Sequence, residues 1–188
     1  VPRVKMYFMI GQPTETAEDI AGIIHLAKAV RHRILQKRRD PKSLAELTVG
    51  VSCFVPKPWT AFQWCAMAEV RALEEKIHHL QRELRRVGIR FTHDVPKWAF
   101  LQAVLARGDR HVGDLLSLAL THRGNWKRVF REWPRNPDFY ACRERPLTER
   151  FPWDHFEVGT KRERLEIEYQ RAMGLLPERP VKWKASLA

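Results

Sequence analysis

The chain has 188 residues, 44% of them hydrophobic, enough for a domain with a buried core. Lys and Arg total 34 against 22 Asp and Glu, a net charge of +12 that favours polyanionic partners such as RNA, DNA or phosphorylated cofactors. No apolar run reaches the roughly 20 residues needed to cross a bilayer, and no basic-then-apolar leader is present, so neither a membrane partner nor a secretory route is expected.

The first element is VKMYFMI, residues 4–10, an almost continuous apolar run ended by Gly11 and Pro13. Continuous apolarity predicts a strand covered on both faces, as in a parallel sheet. A chain opening at Val1 on such a strand is expected to be a piece of a longer protein. Thr16 and Asp19 have capping-box spacing, and Glu15, Glu18 and Asp19 place negative charge at a helix N-terminus. Ile20, Ile23, Ile24, Ala27, Val30 and Ile34 then form one face of a helix running to about residue 37.

A basic linker, KRRDPKS, leads to a second strand-like run over residues 47–55, stopped by Pro56 and Pro58. After the loop PKPWTAFQW, the stripe Val70, Leu73, Ile77, Leu80, Leu84, Val87 predicts a helix from about residue 66, with Gly88 as its stop. IRFTH, residues 89–93, reads as a short third strand. Strand, helix, strand, helix, strand predicts right-handed βαβ units and a parallel sheet. The ligand end is then the strands' carboxyl end, where GQPTET, PKPWTAFQW and HDVP emerge. The basic linker lies at the opposite end.

Beyond residue 94 the pattern becomes helical: KWAFLQAVLA, then RHVGDLLSLALTHR ended by Gly124, then the short NWKRVFREW. Residues 134–159 read as loops, 160–173 as a helix, and the last stretch as a tail. The expected division is 1–94 for the α/β part, 95–175 for a mostly helical extension and 176–188 for a linker or tail.

Cys53, Cys65 and Cys142 are odd in number and unevenly spaced, which argues against a disulfide framework or a self-contained metal site and fits reduced, cytoplasmic thiols. Gly11 lacks a Cβ, so backbone there can approach a flat ligand, or simply make a βα turn. The aromatics Phe54, Trp59, Phe62 and Trp64 offer stacking surfaces at the sheet mouth, or a packed lid, which is the expectation for Phe62 and Trp64. His93 and Asp94 stand at a strand end where an Asp can orient a His. Arg107, Asp109 and Arg110 are expected to cap and link two helices, and Trp153, Asp154 and His155 form a loop cluster that is either structural or substrate-facing.

The set VKMYFMIGQPTETAEDI, VSCFVPKPWTAFQW, ARGDRHVGDLL, PDFYACRER and FPWDHFEVGTKRERLEIEY, spanning about residues 3–175, resembles radical S-adenosylmethionine proteins. The similarity is to the second half of their catalytic domain plus a C-terminal extension, in an uncharacterised bacterial group that often carries an upstream cobalamin-binding-like domain. The resemblance implies the C-terminal half of a partial (βα)6 TIM-like barrel, with residues 4–10 as its fifth strand and 48–55 as its sixth. It implies that Met9 and Gly11 touch the adenine of S-adenosylmethionine, and that Phe54 and Val55 add apolar and backbone contacts. The family's C-x-x-x-C-x-x-C motif, which holds a [4Fe–4S] cluster, is absent here, as are the first four strands. The implied chain is therefore an adenine-side wall without its cluster, inactive alone and completed by the missing N-terminal half, with no metal ligand of its own. The alternative is a basic RNA-binding or docking module without catalysis. RNA is a possible substrate under either reading. The substrate itself is not implied, and an exposed half-barrel edge is expected to promote self-association.

Overall fold

A computed structural model describes residues 3–37 and 46–177. The architecture is α/β: a parallel sheet of β1 (Arg3–Ile10), β2 (Glu46–Cys53) and β3 (Arg90–His93), in the order β1-β2-β3. Helices α1 (Ala17–Gln36) and α2 (Val70–Arg86) make the crossovers. Five further helices follow among the described residues: α3 (Pro96–Arg107), α4 (Val112–Thr121), α5 (Trp126–Glu132), α6 (Asp138–Ala141) and α7 (Arg162–Ala172). Most of the expected basic linker and the end of the expected tail lie outside the described residues.

The local signals act as their chemistry dictates. Thr16 and Asp19 form a full capping box: the Thr16 amide donates to Asp19 Oδ2 at 2.8 Å, and the Asp19 amide donates to Thr16 Oγ1 at 3.2 Å. The backbone bond from Thr16, with its hydroxyl second, holds the Asp19 carboxyl below the usual range. At the end of α2, Gly88 takes φ +68°, and the Ile89 amide donates to Leu84 O at 3.0 Å. The stripe Leu73, Ile77, Leu80, Leu84 is buried against the sheet.

Helix α2 begins at Val70, the first residue of the apolar stripe, and not near residue 66 as expected. The Met67 amide is drawn instead to Ala141 O, at 2.9 Å, a tertiary bond that keeps this stretch out of the helix. The main core runs from the sheet through α1 and α2 and on through Ala103, Val104, Leu115 and Val129 of the later helices. A second core joins Trp64 and Cys65 to Phe151, Trp153, Leu165 and Tyr169.

The sheet has one covered face. Val4, Met6, Phe8 and Ile10 of β1, with Leu47, Val49, Val51 and Cys53 of β2, pack towards the helices. The other face carries Arg3, Lys5, Tyr7 and Met9, in register with Glu46, Thr48, Gly50 and Ser52. Tyr7 is 77% exposed and Met9 46% exposed, so β1 alternates where its sequence predicts cover on both sides.

Candidate functional site

The four candidate residues from the sequence meet at the carboxyl end of β1 and β2. The Phe54 amide donates to Ile10 O at 2.8 Å, extending the ladder past the end of β2 and bringing residues 54–55 beside residues 9–11. Met9 alone among the four offers an exposed side chain. Phe54 is buried, edge-to-face with Phe62 at 5.5 Å. Val55 is half-buried and packs on the main core.

Gly11 is buried with φ +83°. A Cβ there would stand 2.7 Å from Leu73 Cδ2 and 3.4 Å from Ala68 Cβ. The absent side chain thus gives room to α2, and Gly11 can offer a ligand only backbone. Its amide is already engaged, donating to Glu15 Oε2 at 2.8 Å. The other Glu15 oxygen pairs with Lys76 of α2. The Glu15 side chain is only 5% exposed, so one carboxylate ties the βα turn to itself and to the next helix. By sequence Glu15 supplies negative charge at a helix N-terminus; in the fold it also accepts from the Gly11 amide four residues earlier.

Two concavities flank β1, one at this end and one towards its amino end. One, of about 450 Å³, lies among Tyr7, Met9, Gln12, Thr14 and Asp19. The other, of about 250 Å³, lies on the open sheet face among Arg3, Lys5, Tyr7, Thr48, Arg90 and Thr92. Glu46 crosses that second face, pairing with Arg3 at 3.4 Å and Arg90 at 3.1 Å. Met9 and Tyr7 present apolar surface beside strand-end backbone, a combination that suits one face of a flat heteroaromatic ring.

The three thiols do not fit an iron–sulfur cluster. Cys53 and Cys65 are buried, Cys142 is half-buried, and burial pushes each thiol up to about 11. Cys53 belongs to the main core and Cys65 to the second core. Among the described residues no three His, Cys, Asp or Glu side chains are placed to hold a metal ion.

The remaining sequence candidates have structural partners. Asp94 Oδ2 accepts from the Cys53 amide at 3.3 Å, while His93 Nδ1 lies 2.7 Å from the Asp94 carbonyl, so the carboxylate braces β2 instead of orienting the histidine. Trp153 Nε1 donates to Gln63 Oε1 at 2.9 Å, and Asp154 pairs with Arg162 at 2.8 Å, which makes both parts of the second core's frame. Trp64 is buried there, as a packed lid requires, while Phe62 packs at its margin. Trp59 has φ +56°, a left-handed backbone held in place where its amide donates a hydrogen bond to Gln63 Oε1 at 3.1 Å.

Arg107 does more than link helices. It is fully buried, and its guanidinium donates to Ala141 O at 3.0 Å. Buried Arg145 donates in turn to Arg107 O at 3.2 Å. Arg143 binds Glu149 through both carboxylate oxygens at 2.7 Å. This network locks residues 141–149 onto the end of α3, and its partners stand more than thirty residues from Arg107.

No family model matches the chain, and no solved structure matches it. Among curated proteins, an uncharacterised protein of Methanocaldococcus jannaschii is 33% identical over 120 residues, covering 62% of this chain and 23% of that protein. The chain thus spans less than a quarter of the length of the relative it matches.

Proposed function

We propose that this chain is a piece of a radical S-adenosylmethionine enzyme and forms the adenine-side wall of its cofactor site. The observation that supports the reading is the bond between the Phe54 amide and Ile10 O, at 2.8 Å, at the carboxyl end of two adjacent parallel strands. It joins the two segments that the resemblance assigns to adenine. In this reading Met9 supplies the apolar contact, Gly11 and Val55 supply backbone, and Phe54 forms a buried floor.

The three-stranded sheet then corresponds to the last part of a partial (βα)6 barrel, with Lys5, Tyr7, Met9, Thr48 and Thr92 turned towards its lumen. The cluster and the bound cofactor supply the one-electron chemistry. Their ligands belong to the missing N-terminal half, and a cobalamin-binding domain further upstream is part of the same reading. This chain binds and orients; it does not react alone. The protein is cytoplasmic in this account, in keeping with its protonated, unpaired thiols.

The test is the reading frame preceding Val1. It must encode C-x-x-x-C-x-x-C about half a barrel upstream. An upstream frame without that motif removes the enzyme reading for the whole protein.

A further inference from the structure

A groove of about 720 Å³ lies between the start of α3 and α5, with Val70 of α2 and Val95 after β3 in its wall. Its walls include Trp98, Phe100, Trp126 and Phe130, with Lys97 and Lys127 beside them. Phe130 packs edge-on to Phe100 at 5.7 Å and lies 6.1 Å from Trp126, which fixes the aromatic floor. Trp98 is 57% exposed. The wall contains no carboxylate, and among the described residues neither lysine makes an ion pair. Gly124 at the rim has open space where a side chain would stand.

We infer that this groove binds single-stranded RNA, with bases stacking on Trp98 and Trp126 and backbone phosphates meeting Lys97 and Lys127. Two unpaired cations beside the exposed Trp98 and the half-buried Trp126 match the phosphate and base of a single strand. An apolar helix from a partner would cover the aromatics but leave both lysines without counter-charge. The chain's net charge of +12 adds long-range attraction for a polyanion. Binding here does not depend on the cofactor reading, since no residue of the groove belongs to the adenine wall.

The experiment is fluorescence anisotropy with a labelled 12-nucleotide single-stranded RNA and the 188-residue chain, across a salt series. Trp98→Ala is expected to weaken binding by roughly 5- to 100-fold, with Trp98→Phe keeping most of the affinity. The double variant Lys97→Gln, Lys127→Gln is expected to make the negative slope of log affinity against log salt shallower by about 1.4. An RNA duplex of the same length, and free mononucleotides, are expected to bind much more weakly.

Four results overturn the inference: no binding by the unaltered chain, equal binding of duplex, binding indifferent to Trp98→Ala, or a dimer that Trp98→Ala dissolves and RNA does not displace. The last result assigns the groove to a second copy of the chain. If Trp98→Ala loses its circular dichroism signal, the lysine double variant decides, and an unchanged salt slope overturns the inference.

Discussion

Leu73 Cδ2 stands 2.7 Å from the point a Cβ would occupy at Gly11. The βα turn and helix α2 therefore approach each other more closely than any side chain at position 11 permits. Gly11→Ala adds a methyl group into that contact and also forces alanine into φ +83°. The expected loss is about 2–4 kcal/mol in urea unfolding at unchanged slope. A loss under about 0.5 kcal/mol would show that Leu73 moves aside freely.

Glu15 makes a second, independent prediction. Glu15→Ala strands the Gly11 amide and removes the counter-charge of Lys76. The expected cost is about 2–3 kcal/mol, because a buried donor is left without an acceptor. Glu15→Gln keeps an acceptor for the amide and loses only the charge, so it is expected to cost about half as much. Equal losses in the two variants, read from urea midpoints, contradict a role for the neutral hydrogen bond.

The features legible in the sequence are those set by near neighbours. Thr16 and Asp19 announce their capping box at three-residue spacing, and Leu73, Ile77, Leu80 and Leu84 announce a buried face. β1 misleads because Tyr7 and Met9 are apolar yet lie on the open face, so one-sided burial reads as continuous apolarity. The α2 start and the Arg107 network are hidden because their partners, Ala141 to Arg145, lie far along the chain. The meeting of residues 9–11 with 54–55 was foreseeable from parallel pairing, whereas the filling of Gly11's vacant side by Leu73 was not.

The thiols give a pH prediction. Burial raises Cys53 and Cys65 from 9.0 to about 11, and Cys142, half-buried, likewise. Unfolded thiols lose their protons near pH 9 while the folded ones keep theirs, so the unfolded chain binds fewer protons between pH 9 and 11 and stability falls across that window. Iodoacetamide labelling followed by mass spectrometry is expected to modify Cys142 first at pH 8, with Cys53 and Cys65 reacting only after urea is added. Rapid labelling of all three in the folded chain contradicts their placement.

The edge of the sheet gives a fourth prediction. β1 has β2 on one side and no further strand on the other among the described residues, and Tyr7 lies exposed over Gly50, where a Cβ would come within 3.2 Å of its ring. Such an edge invites pairing with another strand. The double variant Tyr7→Lys, Met9→Lys is expected to lower self-association in sedimentation velocity, with little change in stability because both side chains are largely solvent-facing. Identical sedimentation of the variant and the parent chain at high concentration contradicts this.

The cofactor-wall account is tested most directly by the affinity of the complete protein for S-adenosylmethionine. The protein would be reconstituted with iron and sulfide under anaerobic conditions and titrated calorimetrically. Met9→Glu, which puts a charge against the proposed adenine face, is predicted to weaken binding by at least about 10-fold, while Leu120→Glu, on an exposed position of α4, leaves it unchanged. No binding by the complete protein, or equal affinity in the Met9→Glu variant, would contradict the account.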